Sequence, residues 1–498
     1  MTRVVVLGSG IAGLSAAFRR ASAGETVVLE AGPQAGGSIR TIREDGFTLE
    51  CGPNTLRTTE AAERLLADLG LEPRTVKADG KAPRWIVRGG SPRAVVPGPA
   101  ALFNKVFTLK GKLRLLKEPF VAPRPASLED ESVHSFFARR FGEEAAVYGA
   151  GPMVSGVYAG DPHSLSMRSA FPRLWEAEGR SGSVVRDFLG RKEKKDSLRG
   201  KENQGFLGKE EKEGDAGGSA AGKNVAVATT GGASGTPARH RARTLTFDGG
   251  LYTLIETLQS RLSERPGFHL ETSAAVVAVE GPRSPAPPGR RWTVRTADGR
   301  AFDADVVVST LSAPADARLF GGVLPRSAAA LALVPYSPVT VVMQAYRAPA
   351  SPHDAPHGFG GLIPREEGFR SLGILYPASL FTGRAPDGFV LTTSFLGGAL
   401  DRELASAPDV DILEIASAEV ARFFPRLGPA VRSWIARWPE AIPQLPLGHH
   451  KTLAALEQDL AALNTAAPGA LYVTGGFRDG IAVGERVASG EAIGKSLA

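Results

Sequence analysis

Three glycines near the N-terminus stand at a spacing that can hold a diphosphate: Gly8, Gly10 and Gly13. The apolar run Arg3-Val4-Val5-Val6-Leu7 leads into Gly8, and Gly13 opens the small-residue stretch Leu14-Ser15-Ala16-Ala17. The pattern predicts strand, tight turn and helix. Gly8 permits the turn, Gly10 lets the backbone approach phosphates, and Gly13 lets helix and strand pack closely. The helix N-terminus then points free N–H groups at the anion. A second strand, Thr26-Val27-Val28-Leu29, ends on Glu30, where a carboxylate accepts hydrogen bonds from ribose hydroxyls. Such a glycine triplet is weak alone; here the flanking strand, helix and acid all agree with dinucleotide binding.

Beyond Glu30 the chain reads Ala31-Gly32-Pro33-Gln34-Ala35-Gly36-Gly37-Ser38-Ile39-Arg40. A nicotinamide-dinucleotide domain would continue with an ordinary helix, and the glycine pair argues against one. Near the C-terminus, Leu471-Tyr472-Val473-Thr474 runs into Gly475-Gly476, then Asp479-Gly480, Val483-Gly484 and Ala488-Ser489-Gly490. Upstream, Asp305-Val306-Val307-Val308-Ser309-Thr310 reads as a buried strand followed by Ala313-Pro314. Together these segments resemble the superfamily of FAD-dependent amine oxidases and protoporphyrinogen oxidases. The resemblance implies FAD as cofactor and carries its contacts onto matching positions. At the turn these are Gly8, Ser9, Gly10, Ile11, Ala12 and Gly13, followed by Glu30 and Ala31. The glycine pair adds Gly36, Gly37 and Ser38. Arg40 either balances flavin or phosphate charge or is an ordinary surface arginine. Gly475, Gly476, Ile481, Ala482 and Val483 lie toward the flavin end, and the strand holding Ser309 lies toward adenine. Gly52, Pro53, Asn54, Thr55, Val277 and Trp438 are further expected contacts.

A narrower resemblance follows from Ser155-Gly156-Val157-Tyr158-Ala159-Gly160-Asp161-Pro162, then Leu165-Ser166-Met167. It continues in order with Gly52-Pro53-Asn54-Thr55, Ser169-Ala170-Phe171-Pro172, Phe247-Asp248-Gly249-Gly250 and Gly358-Phe359-Gly360-Gly361-Leu362-Ile363-Pro364. Leu372-Gly373, Phe381 with Arg384-Ala385-Pro386, and Trp438-Pro439 through Ile442-Pro443-Gln444 complete the series. This ordered set resembles the oxygen-dependent protoporphyrinogen IX oxidases over nearly the whole chain except 191–241. The resemblance implies six-electron oxidation of a porphyrinogen, with O2 as acceptor and H2O2 as by-product. It implies Arg84 as a propionate-binding cation, whose planar fork suits a carboxylate; a surface ion pair is the alternative. Gly156, Val339, Leu362, Ile363 and Phe381 are expected at the substrate, with ordinary core packing as the alternative. Asn54 is the catalytic candidate beside flavin and substrate ring, or simply a turn former. Rival readings are a coproporphyrinogen III oxidase, whose four-carboxylate substrate asks for more cations, and an amine oxidase or polyene desaturase, which should lack 155–162. A flavin-binding scaffold without activity is the non-enzymatic rival.

The elements that must position these residues predict a mixed α/β architecture. A Rossmann-like FAD-binding domain takes 1–84, part of 242–318 and 445–498. A helical cap or membrane-associating domain takes 85–190, and a mixed-sheet substrate domain takes 319–444 with parts of 242–318. The tract 191–241, rich in Lys, Glu, Gly, Ser and Ala, lacks hydrophobic periodicity and reads as a disordered insertion. The uncharged run 327–346 contains Pro335 and Pro338 and reads as a buried strand with its approach, not a membrane span.

In the segment 97–123, Leu102, Phe103, Val106, Phe107, Leu109, Leu113, Leu115, Leu116 and Phe120 alternate with Lys105, Lys110, Lys112, Arg114 and Lys117. It is either an interfacial helix or a cap with a solvated basic face.

With 498 residues, 43% hydrophobic and 22% charged, the chain suits a large globular enzyme. Its single cysteine, Cys51, excludes an internal disulfide and cysteine metal clusters, and its eight histidines, including His449-His450, do not fall at metal-ligand spacing. The net charge of +7 comes without a nucleic-acid-binding motif. The strand at the start leaves no room for a leader. The expected setting is cytoplasmic or peripheral on the cytoplasmic face of a bacterial inner membrane. A homodimer and hand-off of product to a chelatase are the expected partnerships.

Overall fold

The strand Val4–Leu7 is apolar at every position because it is covered on both faces. Val4 and Val6 enter one core with the helices Ile11–Arg19, Glu60–Leu69, Tyr252–Ser263 and Val483–Ser496. Val5 and Leu7 enter another with the helices Ala313–Phe320 and His449–Ala466. The computed structural model describes residues 2–20, 24–95, 104–190, 242–281, 292–466 and 471–497. The expected insertion 191–241 lies outside them, as do 96–103 at the head of the basic apolar segment.

Val4–Leu7 is the centre of a five-stranded sheet in the order Phe268–Glu271, Thr26–Leu29, Val4–Leu7, Val306–Ser309, Leu471–Val473. All four pairings are parallel. The sheet thus gathers segments from both ends of the chain, as the glycine motifs require.

The second large sheet has seven strands in the order Arg432–Pro443, Tyr336–Arg347, Phe389–Gly397, Ser371–Leu375, Gly360–Leu362, Arg84–Arg88, Ser91–Val95. Its pairings are antiparallel except Gly360–Leu362 with Arg84–Arg88. The run 327–346 forms the short helix Ala328–Ala332 and then the strand Tyr336–Arg347, whose alternation splits two cores. Val339, Val341, Met343 and Ala345 pack with Phe47 and Leu49, while Val342 packs with Ile412 and Ala416 of the helix Asp409–Phe423.

The boundary expected at residue 85 falls differently. Arg84–Arg88 and Ser91–Val95 extend the seven-stranded sheet, because Gly360–Leu362 would otherwise be an open edge. The helical part begins after them, around a core of Val133, Phe136, Val154, Leu165, Met167 and Trp175. Asp130 fastens it to the first sheet's domain, accepting from the Ser166 hydroxyl at 2.8 Å and the Gly448 N–H at 2.9 Å.

Candidate functional site

The N-terminal turn separates its glycines by role. Gly8 has φ +94°, and a Cβ there would lie 2.7 Å from Thr310 Oγ1. A Cβ on Gly13 would overlap the Gly8 carbonyl oxygen, so this glycine lets the helix Ile11–Arg19 touch the turn. A Cβ on Gly10 would meet nothing within 4 Å. Gly10 caps the helix without a side-chain hydrogen bond, so the first N–H groups remain for an external anion.

Glu30 ends its strand beside this turn. Its Oε2 accepts from the Ser9 N–H at 3.1 Å and the Ser9 hydroxyl at 2.5 Å; Oε1 accepts from the Gly32 N–H at 2.9 Å. Ser9 therefore orients Glu30, and Oε1 keeps acceptor capacity for a ribose hydroxyl. The glycine pair folds back on the turn: the Gly36 N–H donates to the Ser9 carbonyl at 3.0 Å. Ala31 and Ser38 are exposed beside it.

Two further expected contacts differ in kind. A β-bulge between Val276 and Ala278 takes Val277 out of register, so that it faces no residue of the neighbouring strand. Ser309 is fully buried, and its hydroxyl donates to Asp316, so only its strand position borders the site.

The opposite end is built around Trp438. Its indole N–H donates to the Cys51 carbonyl at 2.6 Å, and the exposed Arg40 guanidinium lies 5.5 Å from its ring centroid. This holds the segment Gly52-Pro53-Asn54-Thr55, within which Asn54 Nδ2 donates to the Gly52 carbonyl at 3.0 Å. Burial, with Glu50 adding to it, pushes the Cys51 thiol up to about 11, which favours the neutral thiol over the thiolate. Gly475 and Gly476 sit at the end of the strand Leu471–Val473, and Ile481, Ala482 and Val483 enter the last helix. A Cβ on Gly490 would overlap the Ala12 carbonyl, so the last helix crosses the first at backbone contact. The two helix N-termini are thereby fixed relative to one another.

Asn54 and Thr55 line a narrow cavity of about 10 Å³, together with Glu50, Phe359, Leu375, Pro377, Leu380, Phe381 and Arg384. Arg84 is exposed at its margin, with the guanidinium 5.0 Å from the Phe359 ring centroid. Among the described residues no carboxylate pairs with Arg84. Of the expected substrate residues, the structure thus brings Phe381 and Arg84 to the cavity that Asn54 lines. Leu362 touches Gly156, where a Cβ would overlap its side chain. Gly156 lies in a π-type turn, Val154–Tyr158, that ends on Ala159 at φ +47°. Val339 and Ile363 are buried in core clusters away from the cavity lining. Glu50, Phe359, Leu375, Pro377, Leu380 and Arg384 were not assigned from sequence. Phe359 and Arg384 lie inside matched segments, and Glu50 is a carboxylate ending the buried strand Phe47–Glu50. Burial pushes the Glu50 carboxyl up, against the pull of Arg384.

Among the described residues no cluster of His, Cys, Asp or Glu suits a metal ion. The open space at Gly10, the uncapped helix, Glu30 and the Val277 bulge do suit a bound dinucleotide.

Comparison with known proteins gives these features a context. Residues 11–482 match the family described as flavin containing amine oxidoreductase. Protoporphyrinogen oxidase 1 of Spinacia oleracea is 30% identical over 506 residues, covering 96% of this chain and 81% of the relative. Coproporphyrinogen III oxidase of Bacillus subtilis is 27% identical over 510 residues, covering 98% and 96%. The fold is similar to that of an Exiguobacterium protein provisionally assigned as a protoporphyrinogen oxidase, with a TM-score of 0.73, 20% identity, and coverage of 100% of this chain and 98% of that one.

Proposed function

Since the chain belongs to the flavin containing amine oxidoreductase family, we propose that it is an FAD-dependent oxidase converting protoporphyrinogen IX to protoporphyrin IX, with O2 as acceptor and H2O2 as by-product. Bound FAD supplies the electron-accepting chemistry. The observation that carries the substrate is the cavity. It has apolar walls from Phe359, Leu375, Pro377, Leu380 and Phe381, a polar side at Asn54 and Thr55, and the paired Glu50 and Arg384. At its margin stands Arg84, a cation without a carboxylate partner among the described residues. A flat apolar tetrapyrrole with two propionates matches the chemistry of that lining and that cation, and its entry requires the walls to part. Coproporphyrinogen, with four propionates, matches less well, because the second arginine at the cavity is already paired with Glu50.

The chain's own groups bind and orient. The turn at Gly10 and the N-terminus of the helix Ile11–Arg19 hold the pyrophosphate, and Glu30 holds the ribose. Trp438 fixes the segment ending in Asn54 and Thr55, so these face the substrate ring. Arg84 takes a propionate. A titration of the flavin-loaded protein with the two porphyrin products tests this assignment. Protoporphyrin should perturb the flavin spectrum at lower concentration than coproporphyrin; the reverse order would favour the four-carboxylate substrate.

The helix Leu109–Leu116 supports peripheral binding to a membrane. Its inward face docks through polar groups: Thr108 N–H and hydroxyl donate to Glu144 at 2.9 and 2.8 Å, and Arg114 donates to the Arg139 and Arg140 carbonyls. Its outward face carries Leu109, Leu113 and Leu116, and Phe120 beyond it, exposed by 75%, 53%, 55% and 83%. An apolar stripe among lysines, turned away from the protein, suits an anionic lipid interface. Among the described residues no helix is long and apolar enough to cross a membrane.

A further inference from the structure

The cavity wall that carries Phe381 is held from outside its own sheet. Between the strands Ser371–Leu375 and Phe389–Gly397, the chain makes a helical turn, Pro377–Leu380, and a loop through Arg384. This excursion supplies Pro377, Leu380, Phe381 and Arg384 to the cavity.

Arg384 is 2% exposed. Its Nη1 donates to Glu50 Oε1 at 2.9 Å and its Nη2 to the Thr246 hydroxyl. Its carbonyl accepts from the Thr48 N–H at 3.1 Å. Glu50 also accepts from the Leu251 N–H at 2.8 Å and the Thr41 hydroxyl at 2.7 Å. The guanidinium is therefore fixed to the strands Phe47–Glu50 and Thr244–Phe247, and through Glu50 to the approach of the helix Tyr252–Ser263. On its other side its Cζ lies 5.5 Å from the Phe381 ring centroid.

A buried ion pair is a weak source of stability compared with apolar residues of the same shape, yet costly to break. What it does supply is orientation, because a planar fork with two fixed acceptors has one pose. Glu50 ends the strand that leads directly to Asn54. The pair thus ties the wall bearing Phe381 to the segment bearing Asn54.

We infer that Arg384, held by Glu50, is a positioning residue that sets the gap between Phe381 and Asn54 into which the flat substrate enters. The inference rests on the reading of this cavity as the tetrapyrrole site. With both Nη groups engaged by the protein, Arg384 acts through Phe381 and not as a carboxylate ligand.

The test uses the flavin-loaded enzyme, Arg384→Lys, and the double variant Glu50→Gln with Arg384→Met. The double variant removes both charges, while the new side-chain amide can still accept from the Leu251 N–H through its oxygen and donate to the Thr41 hydroxyl oxygen through its NH2. Both variants should retain FAD at the parent's stoichiometry. The KM for protoporphyrinogen should rise about tenfold in the double variant and by less in Arg384→Lys, with kcat within about twofold of the parent. Amide exchange over 376–388 should accelerate about tenfold in the double variant while that over 8–14 stays unchanged. If the double variant does not fold, Arg384→Lys decides by the same split.

An unchanged KM would overturn the inference, as would unchanged exchange over 376–388. A fall in kcat at constant KM would place the pair in the chemistry, and loss of FAD would place it in the cofactor site; either also overturns it. If the parent oxidised neither porphyrinogen, the substrate reading would fail, while accelerated exchange over 376–388 would still uphold the clamp between the two walls.

Discussion

At Gly10 and Gly13 the absence of a side chain serves two different ends, and single methyl groups distinguish them. In Gly10→Ala the new Cβ enters open space, so the apoprotein should melt as the parent does while FAD affinity falls at least about tenfold. In Gly13→Ala it meets the Gly8 carbonyl, so melting itself should suffer, by about 1–3 kcal/mol. Flavin absorbance and thermal melts read both; equal effects in both assays would contradict the division. Arg84→Ala should raise the KM for a propionate-bearing substrate by roughly ten- to hundredfold at nearly constant kcat, the range of a lost charge-assisted hydrogen bond. An unchanged KM would remove Arg84 from the site. Asp316 is the third case. It accepts from Ser309, its Oδ2 has no partner among the described residues, and burial lifts its carboxyl to about 7. In the unfolded chain it titrates near the ordinary value of about 4. Between those values the folded state holds the extra proton, so this contribution is full at low pH and is lost as pH rises through about 7. Asp316→Asn should flatten the melting temperature across that window; an unaltered slope would place the titration elsewhere. Residue identity was legible where one contiguous strand, turn and helix defines it, as from Gly8 to Glu30. It was not legible at Leu362 and Ile363, which are adjacent and equally apolar. Strand register sends Ile363 into a core with Val87, Tyr346 and Phe369 and leaves Leu362 against Gly156.

The helix Leu109–Leu116 shows what an element's periodicity omits. Its composition permitted either a membrane-facing or a cavity-facing apolar stripe. The outward direction of the leucines is set by groups distant in sequence, since Glu144, Arg139 and Arg140 engage Thr108 and Arg114. Leu113→Asp with Leu116→Asp should leave melting and flavin content intact, because neither side chain packs inside. The variant's partition onto vesicles containing anionic phospholipid should fall at least about tenfold. Sedimentation with vesicles measures this, and undiminished binding would contradict the proposed interface. The strands Arg84–Arg88 and Ser91–Val95 make the same point for boundaries. Pairing with Gly360–Leu362, far along the chain, decides which sheet they join.

At the scale of the molecule, two large sheets with different grammars are joined in one chain, and the cavity lies between the second of them and the segment that follows the strand Phe47–Glu50. The parallel sheet was legible as a class because Val4–Leu7 and Leu471–Val473 are apolar runs that lead into glycines and Thr26–Leu29 and Val306–Ser309 are apolar runs as well, whereas its edge strand Phe268–Glu271 carries no such pattern. The antiparallel sheet was legible as strands but not as an order, since its neighbours join residues near 85 to residues near 360. The cavity inherits that limit. Asn54 lies some three hundred residues before Phe359 and Phe381, so the wall exists only in the folded chain. The pairing of Arg384 with Glu50 spans the same junction. Which molecule fills this cavity decides the function. An aerobic assay reads it, with protoporphyrinogen IX and coproporphyrinogen III offered separately to the purified flavin-loaded protein and porphyrin fluorescence followed. The kcat/KM for protoporphyrinogen should exceed that for coproporphyrinogen at least about tenfold, with one H2O2 formed for every two electrons removed. A preference for coproporphyrinogen, or no porphyrin from either, would overturn the assignment.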